Sequence, residues 1–142
     1  MKTYTLTLQE LPTLAQEIKR SFPRGVVLLQ GDLASGKTTF VKEMAKILGV
    51  KEDVTSPTFS LQHCYGGDIY HYDIYNHGVE HFLSLGMLEE LEKEGLHFVE
   101  WGDDTLLELL SFAGIQTLKI EIEKISDTKR EYRIDDAHTQ SC

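Results

Sequence analysis

One segment of the sequence has residue types and spacing that suit phosphate binding. It reads Gly31-Asp32-Leu33-Ala34-Ser35-Gly36-Lys37-Thr38 and matches G-x-x-x-x-G-K-[ST], the pattern of a P-loop. The two glycines allow a tight turn whose backbone N–H groups point at phosphate oxygens. Lys37 offers a positive charge to the outer phosphates, and the Thr38 hydroxyl is a ligand for Mg²⁺. The predicted nucleotide-binding residues are Gly31, Leu33, Ala34, Ser35, Gly36, Lys37, Thr38 and Thr39.

A working P-loop must join a buried strand to a helix, and the flanking residues predict both. The run 25–30, Gly-Val-Val-Leu-Leu-Gln, is short, apolar and rich in branched side chains, as in a strand buried on both faces. After the motif, Phe40, Met44 and Ile47 recur at helical spacing, and Gly49 stands where a helix would end. The order strand, loop, helix is therefore the one that a P-loop requires.

A P-loop also needs an acidic partner for its metal ion, and two residues qualify. Glu100 ends the apolar run 96–99, so we expect it at the carboxyl edge of the sheet beside the P-loop. We favour Glu100 for Mg²⁺, directly or through a bound water. Asp73 ends the run 69–72 and would then orient the attacking water or contact the metal's ligands. The alternative role of Asp73 is that of a turn or cap residue at a strand end.

Two further features could have either a functional or a structural role. The segment Ser56-Pro57-Thr58 follows the P-loop helix, where a nucleotide-sensing loop would lie, and it is equally typical of a capped turn that enters a strand. His71 and Asp73 share one face of a predicted strand. We interpret this pair as structural rather than as metal ligands.

The remaining elements alternate between strand and helix. This order predicts an α/β fold, a P-loop NTPase-like three-layer sandwich with a mixed, largely parallel central sheet and antiparallel edge strands. We expect a single domain over residues 1–142, with a flexible tail at 135–142. The other predicted strands are 2–8, 58–64, 68–73, 96–101, 115–125 and 130–134, and the other predicted helices are 10–22, 79–94 and 103–112.

Composition narrows the classes of partner and compartment. The net charge is −9, which argues against direct nucleic-acid binding, since a basic patch would be expected for that role. No apolar run approaches the length of a membrane span or resembles a signal peptide. Cys64 and Cys142 have neither the number nor the spacing of a disulfide framework or a zinc site. We therefore expect a cytoplasmic protein without a membrane association.

The nucleotide and the rate of its hydrolysis can also be anticipated. The guanine-reading pattern Asn-Lys-x-Asp is missing from the sequence, so ATP is favoured over GTP. No arginine occurs between residues 25 and 129. A small-molecule kinase would close an arginine-bearing lid over the phosphates, and an arginine finger is worth roughly 10³–10⁵ in rate. We expect slow ATP hydrolysis by the isolated chain and a partner that completes the site.

Four segments in order resemble the TsaE family (also YjeE), the bacterial ATPases of tRNA threonylcarbamoyladenosine biosynthesis. They are Gly31 to Thr39, Ser56-Pro57-Thr58-Phe59, His71-Tyr72-Asp73-Ile74-Tyr75-Asn76 and Glu100-Trp101. The resemblance covers nearly the whole chain. It implies an ATP- and Mg²⁺-dependent accessory protein for threonylcarbamoylation of adenosine 37 in tRNAs that read codons beginning with A. The implied partners are TsaD-like and TsaB-like proteins, with tRNA contacted only through that complex.

The same resemblance implies roles for individual residues. Lys37, Asp73 and Glu100 take catalytic positions, and Thr38 and Glu100 take metal positions. Trp101 matches a tryptophan near the nucleotide, for which packing is the alternative, and Arg130 matches a basic residue that approaches the nucleotide.

The chain departs from the family pattern at two positions. Ala34 replaces a glycine of the loop, and Asn76 replaces an arginine. Neither change removes a phosphate or metal ligand, so we expect binding to survive. The alternatives to the family function are a nucleotide-dependent protein-binding module with incidental hydrolysis and a small P-loop kinase.

Overall fold

A mixed seven-stranded sheet with helices on both faces forms the described part of the chain, residues 2–32, 35–54, 62–66, 68–75 and 78–136 of a computed structural model. The strands are β1 (Lys2–Thr7), β2 (Gly25–Gln30), β3 (Gln62–Tyr65), β4 (Ile69–Asp73), β5 (Leu96–Glu100), β6 (Thr117–Lys124) and β7 (Lys129–Asp136). The helices are α1 (Leu11–Ser21), α2 (Lys37–Ile47), α3 (Gly78–Ser84), α4 (Met87–Leu91) and α5 (Asp104–Phe112).

The strand order β1-β7-β6-β2-β5-β4-β3 confirms the predicted fold class. The four central strands β6, β2, β5 and β4 are parallel. Strands β3, β7 and β1 add antiparallel pairs at the two edges. The parallel strands run in one direction, so β2, β4 and β5 bring their carboxyl ends to one edge of the sheet, and this edge carries the site.

The helices divide into two layers. Helices α1 and α2 bury their apolar residues against one face of the sheet, in a cluster that includes Val27, Leu29, Phe98 and Ile120. Helices α3, α4 and α5 cover the other face, where Val26, Leu28 and Val99 contribute. Neighbouring residues of β2 and β5 thus serve opposite clusters, as the period of two along a strand requires. The result is the predicted three-layer sandwich.

Aromatic contacts fix the P-loop helix on the sheet. Phe40 of α2 packs edge-on against Phe98 of β5, with ring centroids 6.4 Å apart. Its ring also lies 6.3 Å from that of Tyr132 in β7. Phe40 and Phe98 are both fully buried. These contacts place the start of α2 beside the end of β5.

Two element boundaries differ from the sequence predictions. The helix predicted over 79–94 is two short helices, α3 and α4, because Gly86 takes a left-handed φ of 77° between them. The last strand continues to Asp136 rather than ending at 134, because Asp135 and Asp136 pair with β6. Backbone hydrogen bonds with β6 thus hold Asp135 and Asp136 in the strand, although the sequence had suggested that they belong to a tail.

We expect Phe98→Ala to lower the free energy of unfolding by about 3–5 kcal/mol, since it leaves a cavity between α2 and the sheet. The matched control is Phe112→Ala, because Phe112 is 95% exposed and its replacement should change stability by less than about 0.5 kcal/mol. Urea denaturation of both variants provides the measurement. Equal losses in the two variants would contradict this packing.

Candidate functional site

The P-loop joins β2 to α2, as the sequence predicts. Gly31 takes a φ of 146° and Gly36 a φ of 110°, backbone conformations that side chains disfavour. A Cβ added at Gly31 would lie only 2.4 Å from the carbonyl oxygen of Ile122 in β6. Glycine at position 31 is therefore required both by its backbone angle and by the close approach of β6.

The start of α2 is open to an anion. Gly36 is the residue before the helix, and no side chain caps the first turn. By contrast, Asp103 caps α5 by accepting a hydrogen bond of 2.9 Å from the Leu106 N–H. The first backbone N–H groups of a helix have no partner within the helix, and with the helix dipole they favour a negative ligand. The uncapped turn fits phosphate.

Lys37 is the first residue of this turn. Its Nζ donates to the carbonyl oxygens of Gly31 and Asp32, at 2.7 and 2.9 Å, and lies 3.7 Å from the centroid of the Trp101 ring. Burial lowers the pKa of Lys37, and the negative charges of Glu100, Asp73 and Asp32 oppose that shift. The ammonium group is therefore surrounded by acceptors and acidic side chains at the position where outer phosphates are expected.

Thr38 and Glu100 meet across the gap between α2 and β5. The Thr38 hydroxyl lies 2.9 Å from Oε1 and 2.8 Å from Oε2 of Glu100, so it donates to the carboxylate. Glu100 itself is 3% exposed. A hydroxyl and a carboxylate are hard oxygen donors, and Mg²⁺ in nucleotide sites takes few protein ligands because waters and phosphates supply the others. These two residues fit the predicted metal position.

Asp73 lies beside Glu100, since the two are register partners in β4 and β5. Its Oδ1 accepts a hydrogen bond of 2.9 Å from the Tyr75 N–H, which is the turn role that the sequence left open. Asp73 also acts electrostatically on Lys37. The Asp73 carboxylate can therefore both stabilise the turn and contribute to the site.

Trp101 and Arg130 both reach the P-loop. Trp101 has a left-handed φ of 70°, unusual for a residue other than glycine, and its ring lies 4.5 Å from that of Tyr75. The Arg130 Nε donates to the Ser35 carbonyl oxygen at 3.0 Å. Arg130, Thr39 and Gly36 line a cavity of about 520 Å³ between the P-loop, β7 and the end of β1. The structure thus brings together the predicted site residues that it describes.

His71 is a site residue whose contact the sequence analysis missed. Its Nε2 lies 2.6 Å from Oε2 of Glu100, and its side chain is fully buried. The sequence did indicate that His71 shares a strand face with the site residue Asp73, but we interpreted those two residues as a structural pair. The partner of the histidine is on the neighbouring strand β5, and strand order cannot be read from the spacing of two residues.

Several predicted positions lie outside the described residues, namely Leu33, Ala34, Asn76 and the segment 56–59. Within the described ranges, no group of three or more histidine, cysteine or acidic side chains is arranged to hold a metal ion. The helices described there include none that is long and apolar enough to cross a membrane. A metal ion at Thr38 and Glu100 would thus depend on phosphate and water for its other ligands.

Comparison with known proteins agrees with this architecture. The crystal structure of YdiB from Bacillus subtilis superposes with a TM-score of 0.70 and 26% identity, covering 98% of this chain and 88% of that one. The fold and the site together define a P-loop NTPase-like protein. Residues 5–132 match the model of the family described as threonylcarbamoyl adenosine biosynthesis protein TsaE. The chain therefore belongs to the TsaE family.

Two relatives within this family match this chain over 80% and 85% of their own length. A tRNA threonylcarbamoyladenosine biosynthesis protein TsaE from Treponema pallidum is 39% identical over 112 residues, covering 77% of this chain and 80% of the relative. The protein of the same name from Aquifex aeolicus is 37% identical over 128 residues, with 85% of each chain covered. The resemblance noted in the sequence is thus confirmed.

The contact between Lys37 and Trp101 gives a direct optical test of the site, since Trp101 is the single tryptophan of the chain. With no nucleotide added, Lys37→Met should shift the tryptophan emission to shorter wavelength, because a thioether replaces a charge 3.7 Å from the ring. Lys46→Met, at an exposed position of the same helix, is the control and should leave the emission unchanged. Identical spectra for both variants would show that Lys37 does not lie on the indole.

Proposed function

We propose that this protein binds ATP with Mg²⁺ at the P-loop and hydrolyses it slowly, as an accessory to the assembly that installs threonylcarbamoyl on adenosine 37 of tRNA. The family and the names of the relatives as tRNA threonylcarbamoyladenosine biosynthesis proteins support the pathway. The observation that carries the ATPase itself is the cluster of Lys37, Thr38 and Glu100 at the uncapped start of α2.

Phosphate recognition is assigned to the turn and to Lys37. Backbone N–H groups in the first turn of α2 would bind phosphate oxygens, and the Lys37 ammonium would neutralise the outer phosphates. The ammonium group now donates to carbonyl oxygens of the same loop, so it needs only to change acceptors. Mg²⁺, when bound, supplies a positive charge that neutralises the phosphates. Thr38 and Glu100 are the residues that would hold it.

Asp73 is the proposed positioning group for the attacking water. It lies at the carboxyl end of β4 in register with Glu100, and it is 7% exposed. Its Oδ1 is held by the Tyr75 N–H, which fixes the orientation of the carboxylate. A fixed acceptor at the edge of the site suits a group that orients water, because that role depends on geometry more than on basicity.

The nucleoside would lie in the cavity beside Arg130. This cavity of about 520 Å³ adjoins Gly36 and Thr39, so it continues directly from the phosphate turn. The sequence has no guanine-reading pattern, and ATP is therefore the proposed nucleotide. The Arg130 guanidinium already donates to the Ser35 carbonyl oxygen, which supports the loop from the side of β7.

The arrangement of arginines supports slow hydrolysis by the chain alone. The sequence has four arginines. Arg20 and Arg24 form ion pairs with glutamates, and Arg133 bonds glutamates of β6 and β7. Of the four, only Arg130 contacts the described part of the P-loop. A group that stabilises charge on the transferred phosphoryl is thus expected from a partner, for which we propose TsaD-like and TsaB-like proteins in the cytoplasm.

The second candidate function is a protein-binding module in which ATP binding matters and hydrolysis is incidental. The same shortage of arginine at the P-loop favours it, because a binding module needs no stabilisation of the transition state. In both functions the tRNA would be contacted through the partners, since the net charge of −9 opposes direct binding of a polyanion.

Asp73→Asn separates the two functions. We expect ATP binding close to that of the wild type, and ATP hydrolysis in the presence of the TsaD–TsaB-like heterodimer lower by about 100-fold or more. Threonylcarbamoylated tRNA formed over repeated turnovers should fall with it. Asp68→Asn is the matched control, because Asp68 is exposed at the opposite end of β4 and should leave both activities intact.

The same assay tests the dependence on a partner. The wild-type chain should hydrolyse ATP slowly alone and much faster with the heterodimer. Fast, saturable hydrolysis by the isolated chain would contradict the need for a partner. Normal tRNA modification by an Asp73→Asn variant that has lost hydrolysis would favour the binding module.

A further inference from the structure

A buried hydrogen bond lies directly behind the Thr38–Glu100 contact. His71 is in the middle of β4, and its side chain is 0% exposed. Its register partner on β5 is Phe98, so Glu100 is two residues further along the neighbouring strand and on the same face of the sheet. The His71 Nε2 and the Glu100 Oε2 are 2.6 Å apart. The imidazole thus reaches the carboxylate from the side opposite to the open edge of the sheet.

The chemistry of the pair determines the direction of this bond. An ionised carboxylate only accepts, so the His71 Nε2 carries the hydrogen and donates it. The other ring nitrogen, Nδ1, is buried and has no hydrogen-bond partner among the described residues. An unsatisfied buried polar atom costs about 1–3 kcal/mol. Packing alone does not account for a histidine here, because an apolar side chain would fill the same space without that cost.

His97 provides a contrast within the same sheet. It is also 0% exposed, but it lies on β5 with its ring towards the other face. One of its nitrogens bonds the Tyr72 hydroxyl and the other the Lys93 carbonyl oxygen, both at 2.8 Å. Burial lowers the pKa of His97, which favours the neutral ring. His97 is therefore a fully satisfied histidine that links the turn after α4 to the sheet.

We propose that His71 is a positioning residue for Glu100. Its Nε2–H holds Oε2, so that the carboxylate is fixed in the orientation that brings both of its oxygens to the Thr38 hydroxyl and that serves the metal position beside it. This inference rests on the proposed function, which assigns Mg²⁺ to Thr38 and Glu100. Removal of a group that orients a metal ligand in this way commonly lowers metal affinity by about 10- to 100-fold.

The consequence of losing His71 follows from the contacts of Glu100. Among the described residues, the carboxylate has hydrogen bonds from Thr38 and His71. Without His71 it would be held by Thr38 alone, and it would be free to rotate towards the Lys37 ammonium, which it attracts. The loss should therefore weaken metal-dependent binding more than the binding of nucleotide without metal.

The test compares ATP affinity with Mg²⁺ and with chelator, measured by titration calorimetry. The wild type should bind more tightly with Mg²⁺, and the absence of that gain would contradict the proposed function rather than the role of His71. His71→Leu should lose about 10-fold or more of the gain. His71→Gln, whose amide nitrogen lies near the position of Nε2, should retain most of it. An unchanged gain in His71→Leu would overturn the proposal.

Two further variants keep the result independent of folding. His97→Leu is the matched control, and it should lower the free energy of unfolding while keeping the Mg²⁺ gain. If His71→Leu does not fold, His71→Asn replaces it, because its shorter amide ends near the position of Nδ1 and cannot reach Oε2. A smaller gain in His71→Asn than in His71→Gln supports the proposal, and equal gains overturn it.

Discussion

The hydrogen bond between the Thr38 hydroxyl and the Glu100 carboxylate joins the two parts of the chain on which the site depends. The residues are 62 positions apart in sequence, one at the start of α2 and the other at the end of β5. They meet because β2, which leads into the P-loop, pairs in parallel with β5. The Phe40–Phe98 contact then fixes α2 over that pair. The parallel sheet and its core thus serve to bring one hydroxyl to one carboxylate.

Buried charge is the main cost of this arrangement. Glu100 and Lys37 are both nearly inaccessible to water, at 3% and 5% exposure, and ionised groups in such surroundings must be paired or hydrogen-bonded. Glu100 is stabilised by Thr38 and His71, and Lys37 by carbonyl oxygens and the Trp101 ring. The left-handed backbone at Trp101 adds a cost of about 1–3 kcal/mol. The apolar clusters on both faces of the sheet offset these costs, so the site depends on the core for its geometry.

Local signals in the sequence were sufficient for most of this structure. The P-loop, its flanking strand and helix, and the acidic residues at the ends of two strands all follow from short patterns that act over a few residues. Features that depend on residues distant in the sequence could not be predicted from such short patterns. The extension of β7 to Asp136 depends on pairing with β6. The division between α3 and α4, by contrast, had a local signal in Gly86, whose left-handed φ of 77° separates the two helices. The contact of His71 with Glu100 required the adjacency of β4 and β5, which no local pattern encodes.

Whether Glu100 and Thr38 form the metal position of an ATP site can be decided by one equilibrium measurement. ATP binding to the wild type and to Glu100→Gln would be measured by calorimetry with Mg²⁺ and with chelator. Glutamine keeps the shape of the side chain and removes the charge, so Mg²⁺ should tighten ATP binding in the wild type and have little effect in the variant. An equal Mg²⁺-dependent gain in both proteins would show that the Glu100 carboxylate is not part of a metal position.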